Sequence, residues 1–142
     1  MTHRPIATVA PLILLVASGC LVYSSDRRPS PPAEDNVAAS VDWADASCYW
    51  DDRSNDDIWW FEADISDNNG LDDVAGVYAD VYDATSGEWV DAFELYYDGG
   101  QTWTSSWQGR STYLDCDYYN YIVDFVAEDT VGAGTPYSLV VY

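Results

Sequence analysis

The stretch from Ile58 to Ile65 reads IWWFEADI, and its alternation limits what the chain can become. Trp59, Phe61, Ala63 and Ile65 share one face, and Ile58, Trp60, Glu62 and Asp64 share the other. The second face turns acidic, so the first faces a core. The same period of two recurs in VAGVYADVYD, where Val77, Ala79 and Val81 alternate with Tyr78, Asp80 and Tyr82. It recurs in YIVDFVAED, where Tyr121, Val123, Phe125 and Ala127 alternate with Ile122, Asp124, Val126 and Glu128. The clusters SDNNGLDD, DATSGE, YDGGQ, WQGRS and EDTVGAGTP punctuate these runs as turns. No segment holds a helical period for three turns. The pattern predicts about seven strands, near 46–50, 58–65, 74–82, 89–97, 101–107, 119–127 and 137–142. Strands of that length and spacing predict an all-β antiparallel sandwich over residues 41–142.

Two stretches carry a family resemblance: the hairpin VYADVYDATSGEWVDAFELYYD and the closing YIVDFVAEDTVGAGTPYSLVVY. With them the domain resembles bacterial immunoglobulin-like or fibronectin-III-like modules, over roughly residues 41–142. The resemblance implies a fold, and that fold hosts many functions.

Charge narrows the partners. The chain has no lysine, and Arg53 and Arg110 are the only basic side chains after Val41. Twenty-two of the 25 carboxylates lie in the same segment, which therefore carries the whole net charge of −20. Phosphate binding needs clustered Lys and Arg, so nucleic acid is excluded as a partner. The seven Trp, three Phe and all but one of the 12 Tyr also follow Val41. Aromatics in that number build a core, so the acidity is a skin on a folded domain.

The chain begins with Arg4 in a positive end, then an apolar run from Ile6 to Ala17. Twelve helical residues span about 18 Å, short of the ~30 Å hydrocarbon core of a bilayer. This is the pattern of a secretory signal peptide over residues 1–19. At Ala17-Ser18-Gly19-Cys20 the chain resembles bacterial lipoproteins, whose signal ends in a lipobox. Ser18, Gly19 and Cys20 fit that motif, and Ala17 stands where Leu is usual. The resemblance implies that Cys20 is acylated and becomes the mature first residue, with the bilayer as partner. Leu21, where an Asp often marks inner-membrane retention, points to the outer membrane of the envelope. A freely secreted protein is the alternative. Residues 20–40, with Pro29, Pro31 and Pro32, are expected to form an extended, disordered tether.

Export places Cys48 and Cys116 in an oxidising compartment, where a disulfide is the default. Lipidation of Cys20 and pairing of the other two account for all three cysteines. With His3 in the leader, the mature chain has neither His nor Lys. That excludes Ser-His-Asp and Cys-His catalysis, Schiff bases and His-ligated zinc. No phosphate loop or dinucleotide fingerprint is present. Paired carboxylates alone need a sugar-sized cleft, which a sandwich of this size rarely forms. The chain is expected to be a non-catalytic envelope protein with a binding or structural role and no required cofactor.

Two binding chemistries stay open. Calcium wants carboxylate and carbonyl oxygens converging from loops. Asp67, Asn69, Asp72 and Asp73 are the first candidates, and the DDRSNDD stretch around Asp51 and Asp57 is the second. The alternative for Asn69-Gly70 is a plain turn. Carbohydrate wants flat aromatic platforms beside carboxylates, and Trp60, Tyr78, Tyr82, Trp103 and Trp107 are the candidates. The partner would then be an envelope polysaccharide, or else an envelope protein. A remoter alternative is an accessory domain of a secreted enzyme.

Overall fold

The computed structural model describes residues 35–118 and 120–141. The expected signal peptide, Cys20 and most of the expected tether lie outside the described residues. Among the described residues eight strands are present: β1 (Ala39–Asp51), β2 (Asp56–Ser66), β3 (Val74–Asp83), β4 (Trp89–Gly99), β5 (Thr102–Gln108), β6 (Tyr121–Asp129), β7 (Gly134–Thr135) and β8 (Tyr137–Val141). They form one mixed sheet, in the order β7-β1-β2-β5-β4-β3-β6-β8, nearly closed into a barrel. Every ladder is antiparallel except β1 with β7. The all-β expectation holds. No helix among the described residues is long and apolar enough to cross a membrane.

Two strand assignments differ from the expectation. The first strand begins at Ala39, inside the segment assigned to the tether, and Ser40 already pairs with Ser66. A register shift between Val41 and Trp43 breaks the alternation there, which hides the strand's first half from a period-two reading. The eighth strand, β7, has two residues and leaves no periodic signal. Pro136, which has no amide hydrogen, separates β7 on β1 from β8 on β6. A Cβ on Gly134 would collide with the Ala127 carbonyl oxygen, so only glycine lets β7 lie this close to β6.

The alternation seen in the sequence sorts the side chains as required. Trp59, Phe61, Ala63 and Ile65 are buried, and so are Val77, Ala79, Val81, Val123, Phe125 and Ala127. Phe61 is the centre of the interior. It stacks on Phe93 with centroids 4.6 Å apart and approaches Phe125 at 6.5 Å. Trp59 meets the edge of Tyr121 at 5.9 Å. The β4 strand joins the two halves of the sheet. Its first part pairs with β3, up to Leu95 opposite Val77, and Tyr96–Gly99 pairs with β5.

Three polar fastenings hold loops to this frame. The Cys48–Cys116 disulfide ties β1 to the loop before β6, with Cα atoms 5.8 Å apart. The buried Tyr121 hydroxyl accepts the Asp115 backbone N–H at 3.0 Å, which fixes the same loop. Asp129, 1% exposed, organises the β6–β7 turn. Its Oδ1 accepts the N–H groups of Val131 (3.0 Å) and Ala133 (2.7 Å), and its Oδ2 accepts the Asn36 amide at 2.7 Å. The Asn36 bond, with these backbone donors, holds the Asp129 carboxyl below the usual carboxylate range.

A lowered carboxyl pKa stabilises the fold above the ordinary carboxylate range, and that contribution is lost as pH falls through the folded value. Asp129→Asn should therefore flatten the acid side of the melting-temperature profile, while Asn36→Ala shifts its onset upward in pH. Separately, Cys48→Ser with Cys116→Ser opens a 68-residue connection. Chain entropy predicts a loss of ~4 kcal/mol in urea unfolding. An unchanged midpoint would show that the disulfide does not constrain the unfolded chain.

Candidate functional site

The outer face of the β4-β3-β6 region gathers residues from three strands. On β3, Tyr78, Asp80 and Tyr82 project outward, opposite the buried Val77, Ala79 and Val81. Tyr78 lies between Glu94 and Val126, Asp80 between Ala92 and Asp124, and Tyr82 between Trp89 and Ile122. Ala92 is small, and beside it opens a groove of about 390 Å³ lined by Tyr78, Asp80, Glu94, Val126 and Glu128. Gly76 shapes this groove. A Cβ there would come within 2.5 Å of the Tyr78 hydroxyl, so the Tyr78 ring lies along the strand over the bare glycine.

Asp80 and Asp124 face each other directly across the β3–β6 ladder. Like charges in that position repel. Burial raises the Asp80 pKa above its ordinary value, Asp124 adds to the rise, and a side-chain hydrogen bond from Trp89 offsets part of it. Ser138 donates a 2.6 Å hydrogen bond to Asp124. The arginines lie elsewhere. Arg110 pairs with Asp56 at 3.3 Å, and Arg53 sits in the β1–β2 turn.

A second trough lies on the outer face of β2 and β5. Trp60 stands between two small residues, Ser47 on β1 and Ser106 on β5. Its indole N–H donates to Glu62 at 3.2 Å. A hollow of about 330 Å³ runs beside it, lined by Tyr96, Thr104, Ser106 and Trp107. Tyr96 is 57% exposed.

The five aromatics singled out by sequence therefore do not form one platform. Tyr78 and Tyr82 belong to the first face and Trp60 to the second. Trp103 and Trp107 pair with Ala63 and Trp59; Trp103 packs on the core side of β5, whereas Trp107, 36% exposed, lines the same hollow as Trp60. Trp107 leans on Phe93 at 5.7 Å, and Trp103 packs against the core edge and Tyr97. Sequence reasoning also missed Asp80, Ala92, Glu94 and Tyr96. The alternation of Ala92, Glu94 and Tyr96 with the buried Phe93 and Leu95 was the available signal.

The calcium candidates occupy the β2–β3 connection, where their oxygens hold the loop. Asp67 accepts the Asn69 N–H at 2.6 Å, and Asn69 accepts the Val37 N–H at 2.9 Å. Asp73 accepts the Thr130 hydroxyl, and Asp72 is exposed. At the β1–β2 turn, Asp51 accepts the Ser54 N–H at 3.0 Å and is held below its ordinary pKa by Ser54. Among the described residues, one group of three acid or cysteine ligand atoms lies within 4.8 Å of one another: Cys48, Asp57 and Cys116. Two of those atoms are the disulfide sulfurs.

Compared with known proteins, the chain matches no family model, no curated protein and no solved structure.

Replacing one of two opposed carboxylates should relieve repulsion. A carboxyl with a raised pKa weakens the fold as pH rises through its folded value. Asp80→Asn should thus raise the melting temperature by a few degrees at pH 7 and by less at pH 4, where Asp80 is more protonated. A fall at pH 7 would mean that Asp80 is fastened by a contact other than those described.

Proposed function

We propose that the chain is a lipid-anchored, non-catalytic protein of the cell envelope, whose acidic domain is an immunoglobulin-like binding module. The anchor is Cys20, and the leader ending in Ser18-Gly19 supports it. Release from the signal at that cysteine, with acylation, would give stable attachment once more than one chain is buried. Leu21 after the cysteine favours the outer membrane over the inner.

Two features support the sandwich reading. Phe61, on the β1-β2-β5 side of the sheet, contacts Phe93 and Phe125 on the β4-β3-β6-β8 side, the kind of contact that two facing layers make. Tyr121, at the start of β6, hydrogen-bonds to backbone six residues upstream, as the tyrosine corner of such domains does. The disulfide departs from the antibody pattern, because it joins β1 to the loop before β6 rather than one layer to the other.

The observation that carries the binding role is the Trp60 trough. A tryptophan flanked by Ser47, Ser106 and Thr104, with Glu62 fixing its indole and Tyr96 exposed beside it, offers a sugar ring a stacking face and hydrogen-bonding neighbours. Polysaccharide of the envelope is the ligand class that this chemistry suits. Calcium at the loop of Asp67, Asn69, Asp72 and Asp73 would then serve stability rather than recognition.

Intact-mass spectrometry of the protein from its host membranes should find residues 1–19 removed and acyl mass on Cys20. In a polysaccharide pull-down, wild type should be retained and Trp60→Ala released, at unchanged melting temperature. An unmodified Cys20 would remove the anchor, and retention of neither protein, or of both alike, would remove the sugar reading at Trp60.

A further inference from the structure

The groove over Ala92 is chemically unlike the Trp60 trough. It is lined by Ala92, Phe93, Val126 and the Tyr78 ring, together with the carboxylates of Asp80, Glu94 and Glu128. Asp124 adds a fourth carboxylate directly across from Asp80. No arginine is on this face among the described residues, since Arg53 and Arg110 both sit at the β1–β2 turn end. This half-buried carboxylate pair beside an open groove has no cation, and the hydrogen bonds from Trp89 to Asp80 and from Ser138 to Asp124 offset its repulsion only in part.

A bound metal ion is not what the geometry suits. Hard cations need several oxygens within one coordination sphere. Among the described residues these carboxylates do not converge three at a time within 4.8 Å. They line the groove together with the Tyr78 ring instead. A guanidinium is the cation of that shape. It is planar and weakly hydrated, stacks on aromatic faces, and donates in several in-plane directions to separate carboxylates. An ammonium group can use the charge but not the flat wall.

We propose that this groove receives an arginine side chain from a basic segment of a partner protein, stacked on Tyr78 and donating to Asp80, Glu94 and Glu128. Gly76 belongs to the same device, because its missing side chain lets the Tyr78 ring lie flat. The domain's net charge of −20 would speed the encounter and make it salt-dependent. The groove supplies what the diffuse field cannot, a preference for arginine over lysine. The inference does not rest on the sugar reading. Trp60→Ala should leave it intact.

The test is calorimetric titration of the purified full-length chain with hexa-arginine and hexa-lysine peptides at low ionic strength. The groove variant is Asp80→Asn with Glu94→Gln. The control is Asp98→Asn with Asp117→Asn, which removes the same charge from exposed positions elsewhere. We expect hexa-arginine to bind wild type more tightly than hexa-lysine. The groove variant should lose tenfold or more, and the control less than twofold. Tyr78→Leu should erase the preference for arginine. Both double variants remove carboxylates without adding bulk, so they should fold, and their melting temperatures verify it. Equal weakening in groove and control variants would overturn the proposal, leaving only a diffuse acidic field. So would equal affinity for the two peptides, or displacement of hexa-arginine by millimolar calcium at matched ionic strength.

Discussion

The stacking of Phe61 on Phe93, 4.6 Å apart, is the contact on which the rest of the structure depends. Phe61 belongs to β2 and Phe93 to β4, strands separated in the sheet by β5. Their contact, with Phe125 and the Trp59–Tyr121 pair, joins the two halves of the sheet across the interior. With 22 carboxylates after Val41, nearly every polar position must face water. In β2, β3 and β6 the domain resolves that demand by alternation, with apolar residues inward and the acids mostly outward. Charge then accumulates on the outer faces, and the outer faces are where recognition chemistry becomes available.

Each outer face has a different character because small residues stand at different points. Ser47 and Ser106 leave a hollow beside Trp60, shared with Tyr96 and Trp107, on one face. Gly76 and Ala92 leave a groove beside Tyr78 on the other. Neither hollow is a cleft between lobes. Each is a missing side chain in a sheet surface, which is the kind of site that a small β domain can make without weakening its core. Asp129, Tyr121 and the disulfide fasten the loops at the ends, so the faces are carried by strands rather than by loops.

Much of the architecture was legible in the chain. The period of two in β2, β3 and β6 placed Trp59, Phe61, Val77 and Phe125 inside, where they are. The first half of β1 was not legible, because a bulge at Val41–Trp43 interrupts its alternation. The two-residue β7 was not legible either, since its pairing is parallel and set by distant contacts. For the sites, outward placement of Trp60, Tyr78 and Tyr82 followed from alternation alone. Trp103 and Trp107 were harder, because the serines between them hide which side of β5 is apolar. Their placement depends on Ala63 and Trp59 across the ladder. The pairing of Asp80 with Asp124 is a matter of register between strands some forty residues apart, which no local pattern encodes.

The central claim is that folding leaves Asp80 facing Asp124 without a cation, ready for one from outside. Carbon-13 NMR titration of the Asp80 side-chain carboxyl reads this directly. The account predicts that Asp80 titrates above the ordinary carboxylate range. It predicts that Asp124→Asn moves the titration downward, and that hexa-arginine does the same in the wild-type chain. An Asp80 that titrates at its ordinary value, unmoved by the substitution or by the peptide, would contradict it.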